Sequence, residues 1–268
     1  TAADAGAQAA EKFLAKLGVD KKNIGSLQKK TWQELLAAQT SAGAGFSPVL
    51  DGTYLPHHPF DPSAPLESQD VPMIISTTLH DAALGLTNFD LTDAGLRQIV
   101  KARFGDKGDG IVDFYRKAKP NQTPFLAQAE IFTDATRRGA ITQAERKAAL
   151  KGAPAYLYQW DWAPNAYDGK FGAVHGIDVS ASFHNVRDQT LSSGGSEGRL
   201  MADRLASVWV AFAKTGNPNN DKIPNWPAYN TQTRATMVFD VNTRVENNYR
   251  GEQMKMLAEA AVAVRPAG

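Results

Sequence analysis

The sequence contains no cysteine, no long hydrophobic run and almost no excess charge, and each absence excludes a class of function. Without cysteine the chain can form no disulfide, no thiolate metal site and no thiol nucleophile. No apolar segment approaches the roughly 20 residues that a helix needs to cross a bilayer. A net charge of +1, with both signs interspersed, gives no field for nucleic acid or an anionic membrane. We therefore expect no nucleic-acid partner and no membrane span, which leaves small-molecule chemistry open.

The apolar content of the chain is high enough for a large core. Of its 268 residues, 43% are hydrophobic, which suffices for one domain or for two small ones. The absence of cysteine leaves the cellular compartment undecided from composition. Our expectation for the location is secreted or periplasmic.

Three apolar runs predict strands. Residues 71–78 are apolar and partly β-branched, as in a central parallel strand that is buried on both faces. Residues 155–160 form an aromatic, alternating run, and residues 236–241 form a third run near the C-terminus. Because strands and helices alternate after a helical insert, the sequence predicts an α/β fold.

Capping signals predict the helices. Gly18 ends a first helix and Thr31 begins a second. The segment 86–151 is predicted to be a helical cap or insert, with one helix closed by Gly105, one over 125–138 closed by Gly139, and a third that begins at Thr142. A last helix is predicted over residues 253–264.

Two titratable residues follow predicted strands. Asp81 comes just after the first strand, and His175 lies in a glycine-rich loop after the second. Ligands bind at the carboxyl edge of open α/β sheets, so His175 is a candidate general base and Asp81 is a candidate site residue at the same edge. The residues alone leave two alternatives open. His175 could be a loop histidine bonded to backbone, and Asp81 could cap a helix that begins at Ala82.

Several blocks of sequence carry a family resemblance. They are FSPVLDG (46–52), VPMIISTTLHDAALG (71–85), AYLYQWDW (155–162), VHGIDVSASF (174–183), VWVAFAKTGNPN (208–219) and IPNWPAYN (223–230). In order and spacing they resemble the C-terminal half of the type B carboxylesterases, the cholinesterase-like branch of the α/β-hydrolases. The resemblance implies that residues 1–268 are the C-terminal portion of one α/β-hydrolase domain. It also implies a carboxylesterase that acts on a small-molecule ester.

The resemblance implies a role for each of the two titratable residues. His175 stands in the family's HG motif and would be the triad histidine. Asp81 stands where the family usually has the Glu of a DEG motif, which here reads His80, Asp81, Ala82. Aspartate is one methylene shorter, so we expect its carboxylate within about 3.2 Å of a His175 ring nitrogen on a closely approaching loop. No metal or organic cofactor is expected, and neither His80 nor His184 occupies the histidine position of the HG motif.

The nucleophile is the missing part of this pattern. The family order is Ser, acid, His, with the serine in a G-x-S-x-G turn between a strand and a helix. The one such match, residues 194–198 around Ser196, follows His175 without a preceding apolar strand, so we interpret it as a loop at a helix start. The resemblance therefore implies that an N-terminal portion, carried as a second chain or cut from a precursor, supplies the serine. The alternative is a non-catalytic cholinesterase-like interaction protein.

Overall fold

A computed structural model of the protein describes residues 1–186 and 195–264, with side chains as far as residue 260. The chain divides into two compact units, residues 1–63 and residues 64–268.

The first unit is built on two helices, α1 (Ala3–Leu17) and α2 (Trp32–Ala42). Gly18 ends α1 in a left-handed conformation, and Thr31 begins α2 with a reciprocal capping box to Glu34. Both helices were predicted from these signals, and both are confirmed. A small apolar cluster joins them, formed by Phe13, Leu14, Ala38 and Ala44.

The second unit contains a four-stranded sheet in the order β1-β2-β3-β4. The strands are β1 (Met73–Thr78), β2 (Ala155–Trp160), β3 (Ala235–Phe239) and β4 (Arg244–Asn247). The first three are parallel, and β4 runs antiparallel to β3. The three predicted strands are confirmed. β4 was not predicted, because its sequence RVEN has neither an apolar run nor a clear alternation.

The position of β1 differs from the prediction that it is buried on both faces. Among the described strands it pairs only with β2, so it forms one edge of the sheet and leaves Ser76 exposed. The central strand of this unit is β2, which pairs on both sides and has all 6 residues buried. The apolar composition of β1 therefore fits an interior position that the described chain does not provide.

Three α-helices lie between β1 and β2, within the predicted helical insert: α3 (Asp93–Phe104), α4 (Gly108–Ala118) and α5 (Pro124–Ala149). Of these, α4 was not predicted. The predicted break at Gly139 and the separate helix from Thr142 are wrong, because α5 is one helix of 26 residues. Ile131 on its first half packs with α3, α4 and α8, while Ala144 on its second half packs on the sheet. Packing on both halves outweighs the cost of about 1 kcal/mol for one glycine in a helix.

The remaining α-helices are α6 (Ile177–Ser182), α7 (Ser196–Thr215) and α8 (Gly251–Val264). Of these, α7 begins at the predicted helix start around Ser196, and α8 is the predicted last helix. The main core is unusually aromatic: Tyr158 and Phe239 meet edge to face with ring centroids 5.4 Å apart. Such aromatic pairs contribute stability beyond that of the apolar area they bury. This core fixes β2 and β3, whose carboxyl ends lie at the edge of the sheet that carries the predicted site.

Candidate active site

The loop after β1 holds Asp81 at the carboxyl end of the sheet. The strand ends at Thr78, and Asp81 is the first residue of a short 3₁₀ turn, Asp81–Gly85. The turn is fixed from behind by α5, because the backbone N–H of Ala82 donates to Oγ1 of Thr133 at 3.0 Å. The residue that caps this turn is His80, and its side chain makes no capping bond. The Asp81 carboxylate instead accepts a hydrogen bond from Oγ1 of Thr78 at 3.3 Å.

The segment before His175 returns to the end of β1 and pairs with it. His80 and Val174 form an isolated parallel bridge, in which the N–H of His80 donates to the Ala173 carbonyl at 2.9 Å. In a parallel register the next opposed positions are 81 and 175, so this bridge brings the two loops side by side. Directly afterwards Gly176, with φ of 74°, turns the chain into α6.

The two predicted residues meet at hydrogen-bond distance. Nδ1 of His175 lies 2.8 Å from Oδ1 of Asp81, inside the limit expected for an aspartate at this position. Both side chains are open to solvent, 61% exposed for His175 and 45% for Asp81. An imidazole whose Nδ1–H is held by a carboxylate has Nε2 free to accept a proton. The arrangement is therefore able to act as a general base.

Ser196 is the first residue of α7, with Gly195 as the N-cap. The interpretation as a helix start is confirmed. Gly194, the first glycine of the G-x-S-x-G match, lies outside the described residues.

A second histidine–aspartate pair lies between α6 and α7. Nε2 of His184 is 2.6 Å from Oδ1 of Asp203, and both side chains are about half exposed. The hydrogen bond from His184 lowers the pKa of Asp203 from its ordinary value. This pair joins through Nε2 rather than Nδ1, and Asp203 belongs to a helix rather than to a loop at the end of a strand.

Behind the loop of Asp81 lies a buried charged cluster that the sequence analysis missed. Arg250 binds two carboxylates of α5, Glu130 at 2.6 Å and Asp134 at 3.0 Å. Glu130 also accepts from Lys119 and Gln122, both at 2.8 Å. The available signal was the spacing of Glu130 and Asp134, which are four positions apart and therefore lie on one face of a predicted helix.

The charges of this cluster keep Glu130 ionised. Burial opposes ionisation, but the approach of His80 and the positive charges of Arg250 and Lys119 outweigh it and hold the pKa of Glu130 well below its ordinary value. Burial also raises the pKa of Tyr115, which donates to Asp134 at 2.7 Å. The cluster is thus a network of paired charges, as buried charges require.

A cavity of about 470 Å³ lies on the sheet face beside α6 and α7, away from the His175–Asp81 pair. Buried Asp178 lines it and accepts a hydrogen bond from the Tyr158 hydroxyl at 2.7 Å. Exposed Val179 and Phe183 form part of its rim.

Over residues 1–186 and 195–264, no group of three or more histidine or acidic side chains is arranged to hold a metal ion. In the same ranges, no helix has the length and apolar character required to cross a membrane.

Comparison with known proteins gives consistent matches. A family profile described as the carboxylesterase family matches residues 2–257. The para-nitrobenzyl esterase of Bacillus subtilis (strain 168) is 25% identical over 262 residues, covering 91% of this chain and 51% of that protein. The phenmedipham hydrolase of Pseudarthrobacter oxydans is 28% identical over 253 residues, covering 85% of this chain and 48% of that protein. The chain thus spans about half the length of these relatives.

Solved structures agree with the sequence matches. A para-nitrobenzyl esterase structure superposes with a TM-score of 0.72 at 25% identity, over 96% of this chain and 54% of its own. A Geobacillus stearothermophilus carboxylesterase gives a TM-score of 0.73 at 24% identity, over 96% of this chain and 55% of its own. Because the family profile covers residues 2–257 of 268, the chain belongs to the carboxylesterase family, and its fold is the corresponding part of an α/β-hydrolase.

Proposed function

We propose that this chain is the histidine- and acid-bearing portion of a serine-type carboxylic ester hydrolase. The observation that carries the proposal is the 2.8 Å contact between Nδ1 of His175 and Oδ1 of Asp81, in a chain of the carboxylesterase family. His175 and Asp81 are the proposed triad histidine and acid.

The proposed reaction assigns one task to each group. A serine from an N-terminal portion attacks the ester carbonyl while Nε2 of His175 takes its proton, and the same proton is then delivered to the leaving alcohol. In the second step His175 deprotonates a water molecule, which attacks the acyl-enzyme, and His175 then returns the proton to the serine oxygen as the acid is released. Asp81 keeps the Nδ1–H tautomer oriented and stabilises the imidazolium that forms in both steps. The chemistry needs no metal or organic cofactor.

Two features support an N-terminal portion as the partner of this chain. The relatives are about twice as long as the chain, and β1 leaves one edge of the sheet unpaired among the described strands. An apolar edge strand is a template for a further strand. The partner is therefore a strand-bearing segment that continues the sheet beyond β1, on a second chain or on a processed precursor. A secreted or periplasmic location stays a prediction.

Hydrolysis of a short-chain p-nitrophenyl ester by the complete protein tests the function. We expect His175→Ala to lower kcat by about 10³-fold or more, and Asp81→Asn to lower it less. The matched controls are His184→Ala and Asp203→Asn, which break the other histidine–aspartate pair and should leave kcat within about twofold of wild type. No hydrolysis above buffer, or equal rates for His175→Ala and wild type, would point to the non-catalytic interaction protein.

Denaturing electrophoresis and intact mass of the purified protein test the partner. We expect a second polypeptide, or a longer precursor, that carries a strand followed by G-x-S-x-G. An active protein composed of these 268 residues alone would contradict the two-part arrangement while leaving the roles of His175 and Asp81 intact.

A further inference from the structure

His80 is buried between the two loops that carry the His175–Asp81 pair. It is 5% exposed, and it forms two hydrogen bonds with the loop before His175, one through its backbone and one through its side chain. Its backbone N–H donates to the Ala173 carbonyl at 2.9 Å, and its ring Nδ1 accepts the Ala173 N–H at 3.1 Å. The residue therefore contacts one loop through its ring and belongs to the other through its backbone.

Gly172 lets the chain pass directly against this ring. It has φ of +59°, and a Cβ at this position would lie 2.4 Å from Nδ1 of His80. The backbone of the His175 loop is thus in contact with the imidazole, where no larger residue fits without displacement.

The opposite side of the ring faces the buried charged cluster. Nε2 of His80 lies 3.6 Å from Oε2 of Glu130 and 3.2 Å from the amide nitrogen of Gln122. Because Nδ1 accepts the Ala173 N–H, a neutral ring carries its proton on Nε2, toward the Glu130 carboxylate. Of the two neighbours of Nε2, only Glu130 offers an acceptor for this proton, because the Gln122 amide nitrogen is itself a donor and binds Glu130 at 2.8 Å.

We propose that His80 is a positioning residue that sets the distance between Asp81 and His175. The inference rests on the proposed function for its kinetic consequence. The pair itself is about half exposed, and an exposed pair of side chains contributes too little stability to hold two loops in register. The buried bonds of the neighbouring residue, which are shielded from water, supply that constraint.

Two substitutions of His80 that have similar shapes distinguish the hydrogen-bond acceptor of the ring from its volume. Asn offers an oxygen near the Nδ1 position and Leu offers none. In the complete protein we expect His80→Leu to lower kcat about 10- to 100-fold with KM within about twofold, because a small displacement misaligns the proton transfer. His80→Asn should recover most of that loss. Equal kcat for His80→Leu and wild type, or no recovery in His80→Asn, would overturn the proposal.

A spectroscopic measurement tests positioning without reference to activity. The Nδ1 proton of His175, shared with Asp81, should give a far-downfield signal in ¹H NMR of protein with ¹⁵N-labelled histidine, assigned by its loss in His175→Gln. We expect the signal to disappear in His80→Leu and to persist in His80→Asn. Persistence in both would overturn the role of His80 even if the protein is an esterase. A wild type that shows the signal but no hydrolysis would instead contradict the proposed function alone.

A pair of glycines in the same loop provides a second test if His80→Leu fails to fold. Gly172 and Gly169 both have positive φ, but a Cβ on Gly169 would meet only the Pro164 carbonyl at 3.7 Å. Gly172→Ala and Gly169→Ala therefore cost similar backbone strain, and only the first displaces His80. We expect Gly172→Ala to lower kcat about tenfold further than Gly169→Ala. Equal effects would contradict positioning through His80.

Discussion

At the scale of single residues, the described part of the protein contains two histidine–aspartate pairs of similar distance and exposure, and we propose a catalytic role for only one of them. His184, in the turn after α6, and Asp203, on α7, meet at 2.6 Å, whereas His175 and Asp81 meet at 2.8 Å on loops at the carboxyl end of the sheet. Distance and exposure do not separate them. The two pairs differ in their surroundings. Asp81 follows His80, which is buried and lies against Glu130, and Asp203 has no such neighbour in the buried charged cluster.

The ionisation of Glu130 predicts how stability depends on pH. Its pKa in the folded protein lies below the ordinary value of 4.5. Its contribution to stability is therefore present above about pH 4.5 and is lost as pH falls from there toward the folded-state pKa. We expect the free energy of unfolding, measured by urea denaturation, to fall as the pH is lowered from about 4.5 to about 3, and Glu130→Gln to reduce this slope.

The control for this prediction is Asp203→Asn. Asp203 has a lowered pKa as well, but it is exposed and screened by water. Its substitution should change the slope less than Glu130→Gln does. Slopes that are the same for Glu130→Gln and wild type would show that Glu130 is not the titrating group.

At the scale of secondary structure, α5 joins the two halves of the second unit. Its first half packs with α3, α4 and α8, and its second half packs on the sheet. It also carries Glu130 and Asp134, which bind Arg250 at the start of α8. One straight helix thus connects the buried charged cluster to the strand that precedes Asp81.

Substitution of Gly139 in α5 by alanine should stabilise the folded protein. Gly139 is exposed, it has helical backbone, and a Cβ there would meet no atom within 4 Å. We expect Gly139→Ala to raise the free energy of unfolding by about 0.5–1 kcal/mol, since alanine loses less backbone entropy on folding. The same substitution at Gly169, where φ is +69°, should lower it by about 1–2 kcal/mol. A loss of stability in Gly139→Ala would contradict a continuous α5.

At the scale of the whole molecule, the surface around β1 bears features of an interface. Ser76 is exposed on an edge strand and lines the 470 Å³ cavity, whose rim includes Val179 and Phe183. A strand of composition MIISTT with one unpaired edge is prone to pair with another strand. This surface is where the proposed N-terminal portion would continue the sheet.

A lysine on each edge of the sheet tests that assignment. We expect Ser76→Lys to abolish association with the N-terminal portion, because a charge on an edge strand blocks pairing. The esterase activity should fall by more than about tenfold as a result. Asn247→Lys, on the opposite edge strand β4, should keep both. Association is measured by co-purification of separately tagged portions. Retained association in Ser76→Lys would exclude this edge.

Local signals were sufficient for most elements of the fold. Three strands, the helical insert, the C-terminal end of α1 and the N-terminal end of α2 follow from apolar runs and caps, which act over a few residues. The prediction of a helix break at Gly139 was wrong because both halves of α5 pack against residues that are distant in sequence. The failure at β1 has the same origin, since an apolar run does not reveal which of its edges is paired.

The sequence by itself determined the class of fold, the family resemblance and the two residues proposed for catalysis, because each depends on the order of residues along the chain. Only the tertiary structure decided that Asp81 faces His175 rather than capping its own turn, since that contact depends on the bridge between His80 and Val174, 94 residues apart. The tertiary structure alone also revealed the buried position of His80 between the two loops and the charged cluster of Glu130 and Arg250. Contacts across such separations are set by how strands and helices pack, and no local pattern in the sequence encodes them.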